Sequence, residues 1–294
     1  MNSATSRFWG RAHNDVVDDR GVRLSIQDRL VPGVSLRERY DNARRLGFDA
    51  IELSQQPFDD AEIALREHIP ISAICGGYRG WLIDPDPENV RLARKDLAHL
   101  IALAGELGTG CVVVPISYRT REQANIGTRR ARDADELIFV EGMRGLASRA
   151  ERAGAKLYVE PINRYQNDLC LTIADALRLR GRIGSAAVFV MGDLFHMNIE
   201  EADLGAALES AGEWLAYVHL ADSQRYEPGR GHLDFAPVFA ALARLEYRGY
   251  ASFELAALSG DADAVLPASV AYVRSKMADA GLSRWAADPM LKAP

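Results

Sequence analysis

The chain alternates short apolar runs with amphipathic segments over nearly its whole length. The segments have helical periodicity, most clearly from Asn89 to Gly108, where leucine, isoleucine and alanine recur at helical spacing. Strands regularly separated by helices are typical of a parallel sheet. The apolar runs that predict strands are Val22–Ile26, Ala50–Leu53, Ile71–Cys75, Cys111–Pro115, Lys156–Glu160, Ala187–Met191, Leu215–Leu220 and Tyr250–Leu255.

Eight such units predict an α/β fold, a single-domain (β/α)8 TIM barrel. A doubly wound sheet is the main alternative, but QDRLVPG follows the first predicted strand, and it is not a glycine-rich phosphate turn. We assign residues 21–294 to the barrel and residues 1–20 to an N-terminal extension. The longest irregular stretch, Ser117–Glu136, is rich in arginine and is expected to be a lid, a subunit contact or a solvated charged surface.

Composition narrows the class of protein. The chain has 294 residues, of which 48% are hydrophobic and 26% are charged, as in ordinary globular proteins. Its net charge of −6 argues against recruitment of nucleic acid. Neither a membrane span nor a signal peptide is visible, and the three scattered cysteines suit a reducing compartment. We therefore expect a cytoplasmic protein without nucleic-acid or membrane partners.

Each of the last four predicted strands has a potential metal ligand at or near its end. These ligands are Glu160, Asp193, His219 and Glu254. Because chemistry in a TIM barrel lies where strands end, the four side chains would meet at a single point. Three carboxylates there would raise one another's pKa, and a divalent cation removes that conflict. The ligand set favours one Mn²⁺, Mg²⁺ or Co²⁺ ion over Zn²⁺, with Mn²⁺ as the first expectation.

Each of the four predicted ligands, taken alone, has a simpler interpretation. Any one of the four ligands alone could be a salt bridge, a helix cap or a core histidine, but four in register favour the metal site. Glu52, inside the second strand, has no such neighbours in the sequence and is assigned a structural role. After Asp193, we expect Asn198 to cap the next helix, with Glu201 at its third position.

Four segments, VEPINRY, GDLFHMNIEE, VHLADSQRYEPGRGHLDF and SFEL, match in order the motifs of ketose 3-epimerases. From about Val22 to Leu282 the sequence resembles the xylose-isomerase-like barrel superfamily, and within it the D-tagatose and D-allulose 3-epimerases. The resemblance implies that the four ligands bind one metal ion and that His196 and Arg225 bind substrate oxygens. It also implies a homo-oligomer, as a dimer or tetramer.

Together, the ligand set and the resemblance predict a metal-dependent sugar isomerase or epimerase. It would act on a ketose or keto-polyol through a metal-bound enediolate, with Glu160 and Glu254 as the two acid/bases on opposite faces. Arg225 would bind a substrate oxygen or, alternatively, form a surface ion pair with Asp222. Trp81, on the loop after the third strand, is a candidate for stacking on the sugar, and a core or interface role is about equally expected.

Two departures from the family pattern leave other reactions open. Gln166 stands where family epimerases often have a second glutamate, and Ala221 and Asp222 stand near the place of a Gly-Glu pair. The alternatives are a lyase acting on 3-keto-glycosides and a hydroxypyruvate or inosose isomerase. An apurinic endonuclease would need further ligands on the early strands, and a complete ligand set argues against a non-catalytic carbohydrate-binding barrel.

Overall fold

Eight parallel strands close into a barrel whose order in space is the order along the chain. The computed structural model describes residues 21–114 and 128–282. The predicted (β/α)8 barrel is confirmed, and pairing of β1 with β8 closes it. The strands are β1 (Arg23–Gln27), β2 (Ala50–Leu53), β3 (Ile71–Cys75), β4 (Gly110–Val113), β5 (Lys156–Val159), β6 (Val188–Asp193), β7 (Leu215–Leu220) and β8 (Tyr250–Phe253).

The part of the chain that the structure describes contains nine α-helices around this barrel. The unit after β6 has two of them, and each other described strand-to-strand connection has one. The helices are α1 (Leu36–Arg45), α2 (Pro57–Glu67), α3 (Pro87–Leu107), α4 (Arg132–Ala153), α5 (Ile173–Ile183), α6 (Leu194–Glu200), α7 (Leu204–Ala211), α8 (Ala236–Arg244) and α9 (Ala262–Asp279).

Some predicted boundaries fall outside the described residues or need correction. The proposed N-terminal extension, residues 1–20, lies outside them, as do residues 115–127 and 283–294. The irregular stretch predicted to run to Glu136 ends earlier, because α4 begins at Arg132. Within residues 21–114 and 128–282, no helix has the length and apolarity required to span a membrane.

The strands alternate between two environments, and this alternation positions the site. Along β7, Val218 and Leu220 pack against the outer helices, whereas Tyr217 and His219 point into the barrel. Tyr217 stacks on Tyr158 of β5 with ring centroids 5.3 Å apart, and both rings are buried in the barrel interior. His219 follows Tyr217 by two residues and therefore lies one layer closer to the carboxyl ends of the strands.

Candidate metal centre

The four predicted ligands converge at the carboxyl end of the barrel. Asp193 is the last residue of β6, and His219 lies within β7; the two are register partners in the sheet. Glu160 directly follows β5, and Glu254 directly follows β8. His219 Nδ1 is 3.4 Å from Glu160 Oε1, 3.6 Å from Asp193 Oδ2 and 3.0 Å from Glu254 Oε2. One ligand atom from each residue lies within 4.8 Å of the others.

Unsatisfied atoms in this cluster indicate what it can bind. Glu160 Oε1 and His219 Nδ1 are buried and have no hydrogen-bond partner among the described residues. A buried polar atom without a partner costs about 1–3 kcal/mol, more if it is charged. A cation between the carboxylates and the imidazole would satisfy both atoms. The residues therefore fit a divalent metal ion with three oxygen ligands and one nitrogen ligand.

Burial and neighbouring charges give the two glutamates different proton affinities. Burial raises the pKa of Glu160 to about 7. Burial would also raise the pKa of Glu254, but as long as no metal ion is bound, the positive charges of protonated His219 and of Arg225 lower it below the usual range. In this metal-free form, Glu160 therefore holds a proton more readily than Glu254 does.

Glu52 has a larger role than the structural one predicted for it from the sequence. Its carboxylate is fully buried and contacts His219 Nε2 at 3.1 and 3.2 Å. It also accepts hydrogen bonds from the Tyr217 hydroxyl at 2.6 Å and from Gln27 Nε2 at 3.0 Å. A carboxylate on Nε2 keeps the hydrogen there and leaves the Nδ1 lone pair for a metal. A second group of potential metal ligands consists of Glu52, Cys75 and His219. In that group the Glu52 oxygens are already occupied by the hydrogen bonds from His219, Tyr217 and Gln27.

Gln27, at the end of β1, connects the carboxylate of Glu52 on β2 with that of Glu254 after β8. Its amide nitrogen donates to Glu52 Oε1 and to Glu254 Oε1, each over 3.0 Å. Arg29 Nε donates to Gln27 Oε1 over 2.9 Å, which fixes the orientation of the amide. Arg29 also donates to the carbonyl of Leu255, directly after Glu254. The segment QDR is thus part of the support of the site.

Arg225 lies beside the ligands and not in the surface ion pair considered from the sequence. Its Nη2 donates to Glu254 Oε2 over 2.7 Å and is 3.5 Å from Asp193 Oδ2. Asp222 instead accepts backbone N–H groups of its own loop, from Ser223 and two later residues. The alternative pairing of Arg225 with Asp222 is therefore wrong. Arg225 has a φ of 62°, a strained conformation for a residue with a side chain, which the loop maintains.

Asp193 has two roles, and this corrects the predicted helix cap. Its Oδ1 accepts the backbone N–H groups of Phe195 and His196, so Asp193 itself caps α6 while Oδ2 faces the cluster. Asn198 lies inside α6, and Glu201 ends it and accepts a hydrogen bond from Ile173 N. The predicted cap at Asn198 is therefore wrong.

The two predicted substrate-binding residues besides Arg225 differ in their placement. His196 is almost fully buried, with Nε2 3.1 Å from Arg225 Nη1 and 3.9 Å from Asp193 Oδ2. Trp81 lies on the loop between β3 and α3 and packs edge-on against Tyr78, with ring centroids 5.9 Å apart. The structure brings His196 to the centre, and the substrate-stacking role of Trp81 stays a prediction.

Fold and cluster together define an α/β-barrel enzyme with its polar centre where the strands end. The chain belongs to the Xylose isomerase-like TIM barrel family, whose model matches residues 40–276. It is 30% identical to the 3-dehydro-D-guloside 4-epimerase of Escherichia coli K12 over 261 residues, 86% of this chain and 100% of that protein.

A solved structure and one further relative agree with this assignment. The crystal structure of an E. coli 3-keto-D-glucoside 4-epimerase matches with a TM-score of 0.79 at 30% identity, covering 86% of this chain and 99% of that one. The D-psicose 3-epimerase of Agrobacterium fabrum is 36% identical over 225 residues, 71% of this chain and 75% of that protein. The predicted isomerase class is confirmed, because these relatives are sugar epimerases.

Adding a divalent ion should stabilise the folded protein, because the four ligands meet only in the closed barrel. A free concentration of 100 times the Kd contributes about 2.7 kcal/mol, which raises Tm by on the order of 5 °C. Scanning calorimetry of chelated protein with and without Mn²⁺ measures this shift, with KCl of equal ionic strength as the control. Equal Tm values with Mn²⁺, Mg²⁺, Co²⁺ and Zn²⁺ would contradict a metal centre.

Replacing Glu52 with glutamine should weaken metal binding although residue 52 is not a ligand. The amide cannot accept from His219, Tyr217 and Gln27 together, so the His219 ring loses its fixed orientation. Loss of such a supporting carboxylate typically costs about 10–100-fold in metal affinity. Calorimetric titration with Mn²⁺ measures it. Tyr217→Phe is the matched control, since it removes one of the hydrogen bonds to Glu52 but keeps the carboxylate, and it should cost less. Wild-type affinity in Glu52→Gln would contradict this role.

Proposed function

We propose that the protein is a metal-dependent epimerase that inverts a carbon next to the keto group of a neutral ketose or 3-keto-glycoside. The observation that carries this proposal is the approach of Glu160 and Glu254 to the same atom, His219 Nδ1, from strands that lie three positions apart in the barrel. Inversion requires two proton carriers on different sides of one carbon, and this arrangement offers two.

The names of the relatives support the substrate class. The matched proteins include a 3-dehydro-D-guloside 4-epimerase and a D-psicose 3-epimerase. In both names the sugar has a keto group, and the inverted carbon is next to it. A keto group makes the neighbouring C–H acidic, so a carboxylate can remove its proton when the resulting charge is stabilised.

The four ligands would hold one divalent ion, with Mn²⁺ as our first choice. When bound, the ion supplies Lewis acidity that stabilises negative charge on the substrate oxygens. Asp193 and His219 would hold the ion and take no part in proton transfer, because the helix cap fixes Asp193 and Glu52 fixes His219. Proton transfer is therefore assigned to the remaining pair, Glu160 and Glu254.

The two glutamates differ in how they are held. Both Glu254 oxygens accept hydrogen bonds, Oε1 from Gln27 and Oε2 from Arg225, and this favours the carboxylate. Glu160 has an oxygen without a hydrogen-bond partner in the described structure. Glu254 suits removal of one proton, which it keeps, and a protonated Glu160 suits delivery of a second proton from the other side. In the reverse direction the two residues exchange these tasks.

The groups at the mouth of the centre complete the proposal. His196 and Arg225 present N–H groups beside the ligands and would bind substrate oxygens. Trp81 would provide an apolar wall for the sugar. A dimer or tetramer and a cytoplasmic location remain predictions from the sequence. The alternative reactions, elimination and aldose–ketose isomerisation, have no structural observation that favours them.

Glutamine in place of Glu160 or Glu254 should abolish epimerisation while each variant still exchanges one substrate epimer. One-sided deprotonation needs a single base, so the C–H of one epimer should exchange with D₂O in Glu160→Gln, and that of the other epimer in Glu254→Gln. Turnover should fall by at least about 10²-fold, the usual contribution of a positioned acid or base. NMR of each epimer in D₂O with Mg²⁺ follows both exchange and product.

Metal content must be measured beside this exchange, because both residues are also predicted ligands and an amide binds metal more weakly. Two metal-loaded variants that exchange the same single epimer would show that the two carboxylates do not act on opposite faces. Release of a fragment from a 3-keto-glycoside, without any epimer, would instead identify a lyase.

A neutral substrate should be preferred over its phosphate ester. Even with one divalent ion bound, the negative charges of the three ligand carboxylates and Glu52 outnumber the positive charges of the ion and Arg225. Arg225 is also already engaged by Glu254 and close to Asp193, so a dianion would meet repulsion. We expect kcat/KM for a free ketose or 3-keto-glycoside to exceed that for its phosphate by at least about tenfold, roughly 1.4 kcal/mol. Steady-state assays of matched pairs measure this ratio, and a preference for the phosphate would refute the assignment.

A further inference from the structure

Asn163 lies in the loop between β5 and α5, three residues after Glu160, and is buried against the His196 ring. Its side-chain nitrogen Nδ2 is 2.7 Å from His196 Nδ1. Its backbone N–H donates to the same ring nitrogen over 3.3 Å. Two groups of one residue therefore converge on His196 Nδ1.

The orientation of the Asn163 amide is fixed by its own loop. Asn163 Oδ1 accepts a hydrogen bond from the backbone N–H of Tyr165 over 3.0 Å. With the amide reversed, its NH₂ group would face that N–H, and two donors would oppose each other. Nδ2 therefore faces His196 and donates to it, as does the backbone N–H. Both contacts require His196 Nδ1 to be an acceptor that carries no hydrogen.

The single hydrogen of a neutral imidazole must then reside on His196 Nε2. Nε2 faces Arg225 Nη1 at 3.1 Å, and an arginine has donors only. With hydrogen on Nε2, these two N–H groups cannot bond to each other, and they oppose each other over 3.1 Å. Asp193 Oδ2 is 3.9 Å from Nε2, beyond hydrogen-bond distance. An acceptor oxygen beside both nitrogens would take a hydrogen bond from each and remove this opposition.

We propose that Asn163 is a positioning residue that fixes His196 in the Nε2–H form, so that His196 and Arg225 together offer two donors to one acceptor oxygen of the substrate. A keto oxygen, which accepts two hydrogen bonds and donates none, has the matching chemistry, and two donors stabilise negative charge that develops on it. Only this identification of the oxygen rests on the proposed function, since the form of the ring follows from the protein contacts alone.

Long-range ¹H–¹⁵N NMR of ¹⁵N-histidine protein shows which ring nitrogen carries hydrogen, with no substrate present. The chain has six histidines, and His196→Gln identifies the signals of residue 196. At about pH 8, above the usual histidine pKa, we expect hydrogen on Nε2 and none on Nδ1. Hydrogen on Nδ1 of the wild-type ring, alone or together with one on Nε2, would overturn the proposal.

Asn163→Asp reverses the polarity of the contact at almost constant shape. A carboxylate can only accept, so the hydrogen should move to Nδ1, and Nε2 should then accept from Arg225 and close the place meant for the substrate oxygen. Loss of one such donor lowers kcat by about 10²–10³-fold, while Mn²⁺ affinity should remain that of the wild type. An unchanged ring form in a folded Asn163→Asp protein would overturn the proposal.

Asn167→Asp is the matched control, because Asn167 is buried in the same loop but donates to Cys170 O and makes no described hydrogen bond to His196. It should loosen the loop without moving the hydrogen on His196. A shift of that hydrogen in Asn167→Asp equal to that in Asn163→Asp would assign the effect to the loop and refute Asn163. An inactive wild-type protein with hydrogen on Nε2 would refute the proposed function alone, so the two failures are distinguishable.

Discussion

The orientation of the His219 ring is the constraint on which the rest of the centre depends. Nδ1 has to face three carboxylates with its lone pair, so Nε2 has to give its hydrogen to an acceptor on the opposite side. Glu52 provides that acceptor from inside the barrel, and Tyr217 and Gln27 hold Glu52 in turn. Burial alone would raise the pKa of Glu52, but in the metal-free protein the charge of protonated His219 and the hydrogen bonds from His219 and Tyr217 keep it below the usual range.

Strands and loops divide the remaining tasks. Asp193 and His219 are paired within neighbouring strands, so the geometry of the sheet fixes their separation. The Arg225 loop is held differently, by the Asp222 carboxylate, which accepts backbone N–H groups from Ser223, Gly229 and Leu233. A Cβ at Gly231 would collide with Asp222, so this loop leaves no room for a larger residue there. Asp193 and His219, which the strands hold, suit the predicted metal ligation, and Arg225, which its loop holds, suits the predicted contact with a substrate.

Local patterns in the sequence were sufficient to predict the fold and the convergence of the four predicted ligands. The periods of helices and of strands can each be read from a short stretch of sequence. Each predicted ligand stands at or near a strand end, where the active sites of these barrels lie. The supporting residues could not be found in this way, because their partners are distant: Glu52 and His219 are 167 positions apart, and Gln27 and Glu254 are 227 apart. One local signal did exist, since Glu52 stands between Ile51 and Leu53, which face the helices, so strand alternation places its carboxylate inside the barrel.

The bond between Gln27 and Glu254 also bears on how the protein is made. All four ligands come from the second half of the chain, on β5 to β8, whereas Gln27 and Glu52, which orient them, come from β1 and β2. During synthesis the first strands leave the ribosome long before their partners exist. The centre is assembled only when β8 has been translated and has paired with β1. The predicted metal ion would therefore be bound late in synthesis, after the barrel has closed.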